Sequence, residues 1–181
     1  MTTVTQAQAI ERGTWQLDSV HSRVGFFVSY LGGTFHGSFS PVEATLAVAN
    51  DGTATLSGSA KVGSIQVQDE NLEAHLASPE FFDAEQAPEI TFTSDGFQPD
   101  VAFVTVPGEL TIKGITKPVQ LTGSIGEPFA DPYGRQRVNL RLQTTVDRSA
   151  FGLDWNNPLP SGEPSLAQDV TLDADLGFTK D

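Results

Sequence analysis

Alternation of apolar and polar residues is the feature that most constrains the fold of this chain. In the segment from Ser22 to Tyr30, every second position is apolar or aromatic: Val24, Phe26, Val28 and Tyr30. Because side chains of an extended strand point alternately to opposite faces, this pattern predicts a strand with one buried face. The pattern recurs often enough to predict about eight to ten strands. The further segments are 35–39, 44–48, 56–62, 90–92, 110–112, 119–125, 138–146 and 170–178.

Short turn sequences separate these segments and predict antiparallel connections, since Gly and Pro supply the backbone angles of tight turns. They are Gly32-Gly33, Asn50-Asp51-Gly52, Asp95-Gly96, Pro107-Gly108, Lys113-Gly114 and Asp131-Pro132-Tyr133-Gly134. One stretch, Asp69 to Leu76, predicts a short helix, because Leu72 and Leu76 are four residues apart and acidic residues lie in its first turn. The Pro-rich and Gly-rich stretch 156–164 predicts a long loop before the last strand.

The opposite faces of the strands are polar, as in Arg137, Asn139, Arg141 and Gln143, so water rather than lipid surrounds the sheet. An antiparallel sheet of about eight strands can close into a barrel that is either packed solid or holds one small ligand. The inward positions mix large and very small residues, which fits both possibilities. They show no polar cluster, so any ligand held inside is expected to be apolar.

Composition and charge exclude several classes of function. The formal net charge of −13 and the isoelectric point near 4.4 disfavour binding to nucleic acid. The chain has no cysteine, which excludes disulfides and thiolate chemistry. It has no apolar run of about 18 residues, so no helix is expected to span a membrane.

The domain organisation follows from the length of 181 residues and the absence of any linker or repeat. One domain is expected over residues 13–181, preceded by a flexible N-terminal segment, 1–12. That segment lacks a basic region followed by an apolar stretch, so a cytoplasmic location is expected unless a signal peptide was removed. Edge strands would allow a homodimer, and the sequence does not decide the oligomeric state.

Catalytic and metal-binding motifs find little support. The three histidines, His21, His36 and His75, lack the spacing of metal ligands, so no metal site is expected. Asp18, His21 and Ser22 supply the residue types of a hydrolytic triad, but close neighbours at a strand start cannot converge on one nucleophile. The chain is therefore predicted not to be an enzyme. An acid–base role for His21 or His75 remains the alternative.

Four arginines lie within fourteen positions and could meet a phosphate head group: Arg135, Arg137, Arg141 and Arg148. Arg137 and Arg141 have the parity opposite to Val138 and Leu140, which predicts that they point to solvent. Arg148 follows Asp147 at a strand end, where it would serve either a structural role or the rim of a cavity.

Several motifs together resemble the YceI family of lipocalin-like, polyisoprenoid-binding proteins. The similarity runs almost from end to end of the chain, with the motifs in order and at sensible spacing. They are Trp15 to Tyr30, Gly33 to Phe39, Asp69 to Asp83, Pro88 to Ser94, Gly108 to Val119 and Val146 to Gly152.

The resemblance implies an all-β fold, an extended eight-stranded antiparallel barrel with one short helix. It also implies that the interior binds a long apolar isoprenoid, either a polyprenyl lipid or an isoprenoid quinone, for transport or storage, with no other cofactor. Many relatives are exported, whereas no signal is visible here, which argues against a periplasmic carrier role. The hypothesis for a cytoplasmic form is that it buffers, presents or shuttles the lipid between the membrane and soluble enzymes. The alternatives are a packed interaction or stress-response protein and, third, an enzyme acting on an isoprenoid.

Inward parity on the strands predicts one set of ligand contacts, and the resemblance implies a second set near the helix. On the strands they are Phe26, Val28, Tyr30, Phe35, Phe39, Phe92, Leu110, Leu121 and Leu142. The helix and the loop after it are implied to cover part of the cavity and contribute Leu76, Phe81 and Phe82.

Overall fold

The computed structural model describes residues 9–99 and 103–180, which form twelve strand segments and one α-helix. The first six strands are β1 (Gly13–Leu17), β2 (Arg23–Tyr30), β3 (Gly33–Phe39), β4 (Val42–Val48), β5 (Ala54–Lys61) and β6 (Ile65–Gln66). Helix α1 (Glu70–Ala77) follows. The remaining strands are β7 (Glu89–Ser94), β8 (Val104–Ile112), β9 (Ile115–Ile125), β10 (Phe129–Ala130), β11 (Gln136–Asp147) and β12 (Leu166–Lys180). Single 3-10 turns lie at Ser19–His21, Val62–Ser64 and Arg148–Phe151.

Two pairs of short strands act as single long strands of the barrel. Strands β1 and β2 both pair with β12, β1 at its C-terminal end and β2 along the preceding part. Strands β3 and β4 lie beside them in the same way, since β3 pairs with β2 and β4 pairs with β1. The breaks fall at the 3-10 turn Ser19–His21 and around Ser40 and Pro41.

The sheet closes where β11, already paired with β9, also pairs with β12 over twelve residue pairs from Gln136–Lys180 to Asp147–Asp169. The closed ring therefore runs through β11, β9, β8, β7, β5, the β3 and β4 pair, the β1 and β2 pair, and β12. Each pairing is antiparallel. The predicted fold, an all-β barrel of eight antiparallel strands with one short helix, is confirmed for the described part of the chain.

The predicted helix is confirmed as α1. Its N-cap is Asp69, whose carboxylate accepts hydrogen bonds from the amides of Asn71 (2.8 Å) and Leu72 (3.2 Å), as expected for the first turn of a helix. At eight residues, α1 is too short to cross a membrane, and the described residues contain no helix that is long and apolar enough to do so. The loop predicted over 156–164 is also confirmed, as part of the irregular connection to β12.

The prediction of a turn at Pro107-Gly108 is wrong, because both residues lie inside β8. Gly108 is there for packing, since the ring of Phe92 on the neighbouring strand β7 covers it at 2.7 Å from where a Cβ would stand.

The predicted N-terminal segment 1–12 is described only in part, because positions 1–8 lie outside the described residues. Of its remainder, Ile10 packs against the core and Glu11 accepts hydrogen bonds from Trp15 and Lys180.

The interior of the barrel divides along its axis into two apolar clusters. We call the first the plug; it surrounds Trp15 at the end where β1 begins and β12 finishes. Its buried members are Trp15, Leu46, Val48, Ala54, Leu56, Phe97, Val104, Val106, Ile125, Val138, Leu140, Leu142, Leu176 and Phe178. The second cluster, at the opposite end, includes residues of α1 and of the turn Arg148–Phe151, and we call this end the mouth.

Candidate ligand-binding site

A cavity of about 490 Å³ occupies the mouth half of the barrel. Its walls come from β2, β3, β4, β5, β7, β8, β9, β11 and β12, and the segment from α1 to Phe82 covers part of it. All twelve residues selected from the sequence line this cavity, although contact with a ligand remains a prediction. They are Phe26, Val28, Tyr30, Phe35, Phe39, Leu76, Phe81, Phe82, Phe92, Leu110, Leu121 and Leu142.

Small residues inside the barrel accommodate aromatic rings, which answers one question that the sequence left open. Phe26 lies directly over Gly37 on β3, so closely that a Cβ at Gly37 would collide with its ring, and Phe92 covers Gly108 in the same way. The rings thus lie against the barrel wall. Since large and small positions are matched at the wall, the middle of this half stays open.

The cover of the cavity begins with α1 and continues to Phe82. Leu76 is the buried residue of α1 and lines the cavity together with Leu72. Phe82 packs edge-on against Phe39, with ring centres 6.1 Å apart, and against Phe26, at 6.4 Å. These contacts place Phe82 on the wall formed by β2 and β3, so the cover is anchored by apolar packing.

A second anchor of the cover is a cluster of three rings. The ring of His75 meets Phe81 edge-on at 4.8 Å and Trp155 at 5.3 Å, while Phe81 and Trp155 lie 5.2 Å apart. His75 Nε2 also lies 2.7 Å from the carboxylate of Glu80. Sequence reasoning missed Trp155 as a lining residue. A tryptophan within a loop rich in Pro, Gly and Asn was the available signal.

Arg148 fastens the loop that carries Trp155. Arg148 is only 3% exposed, and its guanidinium donates to four carbonyl oxygens: Leu153 (2.6 Å), Trp155 (2.7 Å), Ala167 (2.8 Å) and Leu166 (3.3 Å). Burial lowers the pKa of Arg148, and the charges of Asp154 and Asp147 oppose that shift. Arg148 therefore combines the two roles considered from the sequence: it holds the loop in place, and it lines the cavity.

Lys113 joins the two parts of the cover. Its ammonium donates to the carbonyl of Pro79, in the loop after α1, at 2.8 Å, and to that of Gly152 at 3.1 Å. Lys113 belongs to the turn between β8 and β9. A single side chain therefore holds the helix side and the loop side of the mouth to the same hairpin.

Arg137 lies at the other end of the barrel, on the outer face as its parity predicts, but two carboxylates enclose it. It donates to Asp18 and to Asp131, each at 2.9 Å. Hydrogen bonds from Arg137 and His21 lower the pKa of Asp18 to about 2. Burial opposes ionisation of Asp131, but hydrogen bonds from Arg137 and neighbouring amides outweigh it and leave the pKa of Asp131 below its usual value.

The triad-like residues near Asp18 are not arranged for nucleophilic catalysis. His21 Nδ1 faces Asp18 at 2.8 Å, whereas Ser22 Oγ donates to the carbonyl of Asp18 and accepts from the amide of Gly177. Ser22 is thus engaged with the backbone and not with His21. Among the described residues there is also no group of three or more His, Asp or Glu side chains that could hold a metal ion.

Comparison with known proteins places this architecture in a family. The model of the YceI-like domain matches residues 15–178. The chain belongs to the YceI-like family. A UPF0312 protein of Pseudomonas putida is 29% identical over 164 residues, covering 88% of this chain and 82% of that protein. A UPF0312 protein of Staphylococcus aureus is 28% identical over 169 residues, covering 90% of this chain and 95% of the relative.

Solved structures share the fold at low sequence identity. BcnA of Burkholderia cenocepacia superposes with a TM-score of 0.74 at 22% identity, over 89% of this chain and 98% of BcnA. A polyisoprenoid binding domain from Saccharophagus degradans gives a TM-score of 0.65 at 14% identity, over 92% and 98% of the two chains.

Proposed function

We propose that this protein binds a long apolar isoprenoid, either a polyprenyl lipid or an isoprenoid quinone, inside the mouth half of the barrel and carries or stores it. The observation that carries the proposal is the cavity of about 490 Å³ behind a cover of apolar side chains. A cavity of this size lies within the range of small-molecule sites, roughly 300–1,000 Å³. The name of the Saccharophagus degradans neighbour supports an isoprenoid as the ligand class.

Burial of hydrocarbon is sufficient to hold such a ligand. Each buried methylene contributes about 0.8 kcal/mol, so a tail of about ten carbons gains roughly 8 kcal/mol before the cost of immobilisation. The walls offer aliphatic and aromatic surface, such as Phe35, Leu110 and Val170, over most of the cavity. The ligand class follows from this chemistry, because an apolar chain loses no hydrogen bonds on entering.

Two neighbouring residues of β2 provide a matched test. Val28 is buried and lines the cavity, whereas Phe27 points outward, is 37% exposed and packs near His36. Val28→Trp should fill the cavity, while Phe27→Trp adds the same side chain outside it. Organic extraction of each purified protein, followed by mass spectrometry, measures what it carries.

We expect the wild type and Phe27→Trp to release a long-chain isoprenoid and Val28→Trp to release at least about tenfold less, since blocked burial of even two methylenes costs about that factor. Circular dichroism establishes that both variants are folded. Empty extracts of the wild type from several hosts, together with no uptake of added prenyl alcohol or quinone, would contradict the proposal.

A further inference from the structure

The lining of the cavity includes a buried cation at the mouth. Arg148 lines the cavity and is 3% exposed, whereas the walls beside it are mostly aliphatic and aromatic, as at Val28, Phe35 and Leu110. A guanidinium stays charged at neutral pH, so a positive charge lies beside an apolar space. Burial of a charge is costly unless that charge is paired and hydrogen-bonded. The groups that balance Arg148 therefore indicate what a ligand could add.

The protein balances the charge of Arg148 with carbonyl dipoles but not with a close opposite charge. Among the described residues, no carboxylate forms an ion pair with its guanidinium. Asp147 and Asp154 attract Arg148 from a greater distance, and both are exposed to solvent, which screens their charges. The carboxylate of Asp147 is also engaged by the amide and the hydroxyl of Ser149, at 2.9 and 2.6 Å. The positive charge at the mouth is thus incompletely balanced.

The hydrogen-bond donors of Arg148 are also incompletely matched. A guanidinium has five N–H groups. The four bonds to carbonyl oxygens use the N–H of Nε, both N–H groups of Nη1 and one of the two on Nη2. The second N–H of Nη2 has no acceptor in the part of the chain that the structure describes. Because a buried donor without an acceptor is destabilising, an oxygen atom of a ligand would stabilise this group.

Tyr30 offers a second donor in the same part of the mouth. It lines the cavity and is half-buried, and its hydroxyl has no hydrogen-bond partner among the residues described. Tyr30 is the partner of Leu166 in the pairing of β2 with β12, and the carbonyl of Leu166 accepts the bond of 3.3 Å from Nη2 of Arg148. The two side chains thus approach the cavity beside the same residue. Both can donate, so together they suit a head group that brings acceptors.

We propose that Arg148 and Tyr30 bind the anionic oxygen of a ligand head group, a carboxylate or a phosphate, while the apolar tail occupies the cavity. The ligand is then a prenyl acid or a prenyl phosphate in preference to a prenyl alcohol or a quinone. An anionic oxygen supplies both the acceptor and the opposite charge, whereas a hydroxyl or a quinone carbonyl supplies only the acceptor. This inference rests on the proposed function and names the ligand class of the same cavity.

Four ligands that share one farnesyl tail test the head group. Farnesol, farnesoic acid, farnesyl phosphate and farnesylamine are offered separately to the purified protein from phosphatidylcholine vesicles. The bound ligand is extracted and quantified by mass spectrometry after the vesicles are removed. The readout is the transfer of each ligand relative to farnesol, because a substitution that only loosens the cover weakens the binding of all four tails alike.

Two arginines supply a matched pair of variants. Arg148→Met removes the charge at the mouth, whereas Arg141→Met removes an arginine of the outer face whose side chain is 79% exposed. Since hydrogen bonds to charged groups are the strong ones, Arg148→Met should lower the ratio of farnesoic acid to farnesol transfer about tenfold or more. It should also raise the ratio of farnesylamine to farnesol, which a purely structural role of Arg148 would not do. Arg141→Met should leave both ratios unchanged.

A third variant covers the case in which Arg148→Met does not fold. Tyr30→Phe keeps the ring in the wall and removes only the hydroxyl, so the fold should be preserved. It should lower the ratio of farnesoic acid to farnesol transfer about threefold, because the hydroxyl bonds a carboxylate more strongly than an alcohol. Circular dichroism establishes which variants are folded.

The outcomes separate this inference from the function on which it rests. An unchanged ratio of farnesoic acid to farnesol in folded Arg148→Met, or in Tyr30→Phe, would overturn the head-group site and leave isoprenoid binding intact. Transfer of none of the four ligands to the wild type would overturn the proposed function and the head-group site with it. If the ratios shift as expected, the anion with the higher transfer to the wild type distinguishes a carboxylate from a phosphate.

Discussion

The plug and the mouth half of the barrel are built from the same strands but differ in how their interiors are filled. Strand β11 passes through both: Val138 and Leu140 are completely buried in the plug, while Leu142 and Val146 face the cavity. In the plug, Trp15 and Phe178 fill the space. In the mouth half, the rings of Phe26 and Phe92 lie over glycines at the wall, which leaves the middle open. Inward parity therefore identifies the interior without deciding whether it is filled.

This difference separates stability from binding. A ligand cavity lowers the stability of the fold, because side chains around empty space lack partners for dispersion contacts. The plug is positioned to supply the missing stability, and the cover at the mouth needs only local fasteners such as Arg148 and Lys113. Substitutions that remove contacts in one half at a time should therefore have different effects on stability.

The largest effect is expected in the plug, for Trp15→Ala. The side chain has no exposed surface and its indole N–H is paired, so removal leaves a large void that cannot collapse. Truncations of this kind cost about 3–5 kcal/mol. Urea denaturation followed by circular dichroism measures the change in the free energy of unfolding. A loss below about 1 kcal/mol would mean that the plug is not the stabilising half.

A direct comparison of the halves uses the same substitution in each. Leu140→Ala opens a void in the plug, whereas Leu110→Ala only enlarges the existing cavity, because Leu110 already lines it. Leu-to-Ala costs span about 2–5 kcal/mol and grow with the cavity that is created, so we expect about 4 kcal/mol for Leu140 and about 2 kcal/mol for Leu110. Urea denaturation followed by circular dichroism measures the loss in the free energy of unfolding for each variant. Equal losses would indicate that both halves are packed alike in solution.

The fasteners of the mouth should matter locally. Arg148→Met removes the donors for four carbonyls and should cost about 2 kcal/mol, with faster amide hydrogen exchange around Leu153, Trp155 and Leu166. Exchange in β1 and β4 of the plug should be unchanged. Arg141→Met is the control. The Arg141 side chain is 79% exposed, and its ion pair with Asp175 is long, at 3.8 Å. Uniformly faster exchange across the barrel would argue against a locally fastened cover.

The sequence predicted the barrel and the inward residues because both depend on local periodicity. Alternation places Phe26 and Val28 on one face whatever the rest of the chain does, and the helix beginning after Asp69 carries its own capping signal. Parity also brought Leu121 and Leu142 to the cavity wall. These successes required no knowledge of which strands meet.

The division of the interior could not be predicted because it depends on long-range register. Trp15 enters the plug because β1 pairs with β4 and β12, which are distant in sequence. Pairing between strands also places Leu56 and Leu176 where the plug meets the cavity. The prediction of a turn at Pro107-Gly108 failed for a similar reason, because Gly108 makes room for the ring of Phe92 on another strand. Spacing along one chain carries no such information.

The smallest expected effect is an acid response of the outer network at the plug end. The folded pKa of Asp18 is about 2, below its usual 3.8, because Arg137 and His21 stabilise the carboxylate. Its contribution to stability is therefore complete above about pH 4 and is lost as the pH falls toward 2. Since Asp18 is partly open to solvent, screening limits the loss to about 1 kcal/mol or less. The difference in the free energy of unfolding between the wild type and Asp18→Asn isolates this term from other carboxyls. It should shrink between pH 5 and pH 2; a constant difference would show that the Asp18–Arg137 pair does not stabilise the plug end.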